Sequence, residues 1–186
     1  YAYIDGAREA RKALVEQMLG TLVTIAKDVK VQVEFNPRQV VAYRLLGYEN
    51  RLLRAEDFKD DKKDAGEIGV GHTVTALYEV VPVGEAGASS GELLTVKLRY
   101  KMPEGDRSQE LTRAVTEAGA GSGEASEDFW FTAAVAEFGM LLRDSPYKGS
   151  ASYEGVLELG KRGKGEDAEG YRAEFLELVE KARGLK

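Results

Sequence analysis

The hydrophobic period changes twice along this chain, and that change limits its fold more than any other feature. Ala7, Ala10, Leu14 and Met18 recur at helical spacing. Val29, Val31, Val33 and Phe35 then alternate with Lys30, Gln32 and Glu34, the period-2 pattern of a strand with one buried and one wet face. The same period recurs at Val41, Tyr43 and Leu45, over 70–83, where His72, Val74, Ala76, Tyr78 and Val80 share a face, and at Leu94, Val96, Leu98 and Tyr100. A weaker run covers Ser108 to Val115. From Ser126 onward the period returns to 3.6. A block of strands followed by a block of helices predicts an α+β fold, because parallel βαβ units would interleave the two periods. The expected architecture is an antiparallel sheet or sandwich of five to six strands. It is packed with a C-terminal three-helix segment and preceded by one N-terminal helix.

The boundaries follow from breakers and caps. Asp5 is the expected N-cap of the first helix and Gly20 its stop. The β-rich region is expected over 21–116 and the helical region over 126–183, as one cooperative domain from 21 to 186. Asn36-Pro37-Arg38 and Pro103-Glu104-Gly105-Asp106 read as turns, and 84–91 and 116–125 as loops rich in small residues. Ser126 should cap a helix whose Glu127 and Asp128 complement its dipole, with Pro146 ending it. That helix is apolar nearly all round, so Phe129, Trp130, Phe131 and Phe138 are expected core residues, with Glu137 as an oddity that reaches an edge or pairs with Arg143 or a strand lysine. A short helix follows Ser152. The last helix carries Tyr171, Phe175, Leu178 and Ala182 at helical spacing.

Charge and composition exclude several functions. Lys and Arg total 26 against 32 Asp and Glu, a net charge of −6 that repels phosphate backbones. The compact basic run Lys161-Arg162-Gly163-Lys164 is flanked by acids and reads as a solvated turn, so no nucleic-acid partner is expected. The absence of cysteine removes disulfides, thiolate zinc sites and thiol nucleophiles. No apolar run reaches the roughly 18 residues of a membrane span, and no signal peptide is visible. The opening Tyr1-Ala2-Tyr3-Ile4 lacks an initiator methionine, which leads to the expectation of a fragment.

No residue pattern points to catalysis. His72, the sole histidine, stands on a strand pattern with no Ser or Asp at triad spacing. Gly66, Gly69 and Gly71 are spaced G-x-x-G-x-G and lead into a strand, whereas a phosphate cradle leads into a helix, so they read as bulges or turns. The acidic stretch Asp57, Asp60, Asp61, Asp64 and Glu67 supplies the calcium candidates. It departs from the EF-hand pattern, and Lys59, Lys62 and Lys63 offset its charge, so a solvated connection is the preferred reading. The alternative is a hydrolase pairing a carboxylate of 57–67 with a strand residue such as Glu79. No cofactor is expected.

Three segments carry a resemblance: LGTLVTIAKDVKVQVEFNPRQVVAYRLLGYENR (19–51), EDFKDDKKDAGEIGVGHTVTALYEVVPVG (56–84) and LLTVKLRYKMP (93–103). With SEDFWFTAAVAEFGMLLRDSPYKG (126–149) and GYRAEFLELVEKA (170–182), they resemble the C-terminal domain of unknown function of bacterial von Willebrand factor type A domain proteins. Residues 1–18 resemble the last strand end and helix of the A domain itself. The resemblance implies an upstream A domain in the same chain as partner, an unknown protein partner, and an extracytoplasmic or envelope-associated location. The A domain's D-x-S-x-S metal motif has no counterpart: Asp106-Arg107-Ser108 matches its first positions only and follows a polar turn. The implied function is a non-catalytic structural and protein-interaction module. If residues 1–20 were built to face an upstream domain, their stripe of Ala7, Ala10, Leu14 and Met18 is expected to lie outside this domain's core.

Overall fold

The computed structural model describes residues 3–4, 6–47, 52–84, 91–116 and 125–185. Asp5, most of the 84–91 loop and most of the 116–125 loop lie outside them. The fold is α+β, with strands preceded by a helical run and followed by three helices. In chain order the elements are α1 (Ala7–Arg11), a π-helical turn (Lys12–Glu16), α2 (Met18–Leu22), β1 (Thr24–Phe35) and β2 (Val40–Leu46). A 3-10 turn (Ala55–Lys59), β3 (Gly66–Gly69), β4 (Leu77–Pro82), β5 (Glu92–Lys101) and β6 (Ser108–Thr116) come next. The helices α3 (Glu127–Leu142), α4 (Tyr153–Arg162) and α5 (Tyr171–Gly184) close the described chain. Backbone contacts divide it into two units, Tyr1–Arg44 with Tyr48–Ala76 and Val80–Ala118, and Leu45–Gly47 with Leu77–Glu79 and Gly119–Lys186.

In the first unit, β3, β1, β5 and β6 form a four-stranded sheet in that order, with β1–β3, β1–β5 and β5–β6 all antiparallel. β2 and β4 form a separate two-stranded sheet. The register sets the two faces of the larger sheet. Val31, Leu98 and Leu111 stand in one cross-strand row, and Val33, Val96 and Arg113 in the next. On the opposite face Lys30, Arg99 and Glu110 form a row. A bulge interrupts β1 between Lys27 and Lys30, where Asp28 takes the left-handed backbone (φ 53°).

Several sequence expectations need correction. The helix does not stop at Gly20: the helical run continues to Leu22, and Gly20 lies against Gly69. A Cβ on Gly69 would sit 1.5 Å from the Gly20 carbonyl oxygen, so only two bare backbones can approach this closely. The strand expected over 70–83 shrinks to β4, and β3 ends before it at Gly69. Gly71 (φ 73°) turns the chain after β3, the His72 N–H donates to Gly69 O at 3.1 Å, and pairing resumes only at Leu77. His72 is therefore an exposed turn residue.

The second unit's helices pack around Ala134, Leu141, Val156, Leu157 and Val179, with Phe138, Tyr153, Phe175 and Leu176 against them. Gly160 makes this possible, because a Cβ there would meet Leu176 Cδ2 at 2.6 Å. α3 is capped by Ser126 as expected, its hydroxyl accepting the Phe129 N–H at 3.2 Å. It ends before Pro146. Asp144 takes the left-handed position (φ 50°), and the Ser145 and Asp144 N–H groups donate back to Met140 O and Leu141 O, a Schellman closure with aspartate in glycine's usual place. On α5 Tyr171, Phe175 and Ala182 are half-buried as the expected stripe requires, but at its third position the buried residue is Val179, whereas Leu178 is 52% exposed.

Candidate functional site

The acidic connection 55–65 is held against the polar face of the four-stranded sheet by side chains of β1 and β5. Lys30, expected on the wet face, is only 3% exposed. Its ammonium donates to the Asp60 carbonyl at 2.5 Å and reaches the Asp57 carbonyl at 3.5 Å. Phe58, from the same connection, is 2% exposed. The connection thus covers one end of the polar face, and its carbonyls give the lysine the partners that burial of a charge demands.

Asp61 is the hub of the next layer. Its Oδ1 accepts from Arg99 Nη2 at 2.9 Å, Arg99 Nε at 3.2 Å and Ser108 Oγ at 2.5 Å, and its carbonyl accepts from Lys101 Nζ at 3.3 Å. Lys101 also donates to Asp28 Oδ2 at 2.7 Å, and Arg99 Nη1 lies 3.7 Å from Glu110 Oε2. Lys30, Arg99 and Lys101 therefore stand among Asp28, Asp61 and Glu110 in one network. The hydrogen bond from Lys101 holds the Asp28 carboxyl below its ordinary value. Those from Ser108 and then Arg99 do the same for Asp61, and the Asp28 contact raises Lys101. Carboxylates stabilised this way stay ionised at neutral pH and are poor proton donors.

The five calcium candidates do not converge. Asp57 Oδ2 lies 3.8 Å from Lys63 Nζ, Asp60 Oδ1 accepts the Lys62 N–H at 2.9 Å, and Asp61 is in the network above. Asp64 and Glu67 are exposed. Among the described residues no three carboxylate or histidine groups are grouped to hold a metal ion. Glu79, the strand carboxylate of the hydrolase reading, belongs to the second unit, and the 57–67 stretch to the first. Asp106 lies in the β5–β6 connection, 3.9 Å from Lys27, and Ser108 is on β6.

Within the second unit an open depression of about 300 Å³ is lined by Leu77, Glu79, Ala136, Glu137, Met140 and Lys148, among others. Glu137 does not pair as expected from sequence. Its Oε1 accepts the Ser152 N–H at 3.1 Å, placing a carboxylate at the N-terminus of α4, where the helix dipole favours it. Trp130 is half-buried, with the Arg162 guanidinium 3.8 Å above its ring. The basic run 161–164 thus contributes a cation–π contact, and Gly163 admits α3 closely: a Cβ there would lie 2.3 Å from Phe131 N. Arg172 bonds Gly163 O at 2.6 Å and also Asp128. Burial pushes the Asp167 carboxyl up, but the backbone N–H groups of Arg172 and Ala173 more than offset it and hold it below its ordinary value.

Sequence reasoning missed the role of Lys30 and the partner of Glu137. A lysine in a period-2 strand looks like any wet-face residue, and only a covering connection distinguishes it. For Glu137 a signal was present: an acid inside an otherwise apolar helix needs a polar partner, and the N-terminus of the helix after Ser152 was an available one.

Among the described residues no helix is long and apolar enough to cross a membrane. No solved structure matches the chain. The chain is 40% identical over 201 residues to the uncharacterized protein YfbK of Escherichia coli (strain K12), an alignment covering all of this chain and 34% of that relative. It therefore spans about a third of the relative's length. Residues 20–185 match the family described as "Uncharacterized protein YfbK, C-terminal", and the chain belongs to that family.

Proposed function

We propose that this chain is a non-catalytic structural and protein-interaction module that follows a von Willebrand factor type A domain in a cell-envelope protein. The observation that carries the interaction role is the open part of the apolar sheet face. Val31 and Leu111 are 53% and 58% exposed, and both pair in register with Leu98 between them. The far end of the same face is covered, since Phe35 stacks on Tyr43 of β2 at 4.2 Å. A row of aliphatic side chains across three strands suits protein contact better than isolated apolar residues would.

The ion network supports the non-catalytic reading. Asp28, Asp61, Arg99 and Lys101 are hydrogen-bonded to one another or to Ser108. Such groups hold a connection in place, and Asp61, the carboxylate beside the Ser108 hydroxyl, is held below its ordinary value and is a weak general base. The A-domain and envelope parts rest on the resemblance of residues 1–18 and 19–51.

The test is capture of partners by the full-length protein. Full-length protein, full-length protein lacking residues 20–186, and full-length protein carrying Val31→Asp with Leu111→Asp are compared. The reading requires one or more proteins held by the first and lost from both others. Identical captures from all three would defeat it.

A further inference from the structure

Residues 7–22 form one helical run: α1 and α2 are joined by the π-helical turn, and the Gln17 N–H closes that turn on Lys12 O at 2.9 Å. Its charges pair locally, Lys12 with Glu9 at 3.9 Å and Arg11 with Glu16 at 3.8 Å. Four of its large apolar residues are left open by this domain. Leu14, Val15, Met18 and Leu22 are 61%, 64%, 47% and 69% exposed. An amphipathic helix of this kind is stable when its apolar side faces another surface. The run is nevertheless anchored at one end, where Gly20 touches Gly69 of β3 and the Val70 N–H donates to Val23 O at 2.9 Å.

The family boundary falls at this anchor. The family match begins at residue 20, so Leu14, Val15 and Met18 precede the domain that the family defines, and Gly20 is its first residue. The matched domain is C-terminal by description, and two-thirds of the relative's chain lies outside the alignment. We propose that residues 7–19 are a docking helix whose apolar side is seated on the part of the same polypeptide preceding this domain in the full-length protein. This rests on the reading of the chain as a module that follows another domain. The Gly20–Gly69 contact then fixes the angle at which the helix leaves the sheet.

The chain's three methionines supply the probe. Met18 and Met102 are 47% and 48% exposed, whereas Met140 is buried. Oxidation by dilute peroxide, followed residue by residue by mass spectrometry, reports methionine exposure in the full-length protein. Met18 should oxidise at least about five-fold more slowly than Met102, close to Met140, at every protein concentration. Leu14→Glu should bring Met18 up to the Met102 rate while Met140 stays slow. Equal rates for Met18 and Met102 in the parent would overturn the proposal. Protection that survives Leu14→Glu, or that fades on dilution as for a second copy of the chain, would overturn it too. Protected Met18 with no capture at Val31 and Leu111 would refute the interaction role alone. Exposed Met18 with capture intact would refute the docking helix alone.

Discussion

Replacing Lys30 with methionine isolates what holds the acidic connection to the sheet. Methionine keeps most of the aliphatic stem and removes the donor. The Asp60 carbonyl, 2.5 Å from Nζ, loses its bond, and the Asp57 carbonyl at 3.5 Å loses a contact at the edge of hydrogen-bonding range. Each carbonyl keeps one backbone N–H donor, so what is lost is a hydrogen bond from a charged donor, roughly 1.5–3 kcal/mol. Removing a desolvated ammonium returns part of that cost. The net expectation is a loss of about 1–2 kcal/mol, which moves a urea midpoint down by about half a molar. The loss should also be local. The Asp60 and Lys63 amides, which donate to Asp57 O and Asp60 O, should exchange roughly ten-fold faster, whereas amides of α3 should not change. An unaltered midpoint with unaltered exchange at these two amides would show that Lys30 does not clamp the connection.

Three further substitutions or conditions test other joints. Gly69→Ala would place a methyl 1.5 Å from Gly20 O and 2.5 Å from Gly20 C; no rotamer relieves a clash with backbone, so a loss of about 3 kcal/mol is expected in chemical denaturation. A variant as stable as the parent would mean that α2 does not rest on β3. Glu137→Ala should cost about 1 kcal/mol by removing the acceptor for the Ser152 N–H, with Glu137→Gln recovering much of it; equal stabilities for all three would refute the capping role. Asp28 and Asp61 are held below 3.8, so their contribution is complete above that pH and is lost as pH falls through their folded values. Lys101 is raised above 10.5, so its contribution is complete below that pH and is lost as pH rises through its folded value. Melting temperature should therefore fall in acid, and Asp61→Asn should flatten that acid limb; an unchanged slope would remove Asp61 from the network.

Element types were legible because each rests on a period of side chains. The alternation at Val29–Phe35 and Leu94–Tyr100 marks β1 and β5, and the returns to helical spacing mark α3, α4 and α5. Ends were less legible because they depend on single residues with tertiary reasons. Gly20 resembles a helix stop but is bare for Gly69, and Asp144 ends α3 in a conformation that favours glycine. The unbroken reading over 70–83 failed at Gly71: the apolar alternation from Val74 onward continues through residues that pair with no strand until Leu77.

The same limit applies more sharply to the site. A period of two assigns Lys30 and Val31 to opposite faces, which the register bears out, but it does not say which face meets water. Charge suggested that Lys30 was wet and Val31 dry, and at this position the outcome is reversed: Lys30 is 3% exposed and Val31 53%. The reversal comes from a connection more than twenty residues further along the chain. Asp57 and Asp60 supply backbone carbonyls to the buried ammonium, and Phe58 between them is itself buried. The acids of 57–67 drew notice for their carboxylates, yet two of them hold Lys30 through their main chain. A pattern of side-chain types cannot show that role, because any residue at positions 57 and 60 offers the same carbonyl. What side-chain type does determine is the second layer, where Asp61 needs both a carboxylate and the Arg99 guanidinium opposite it.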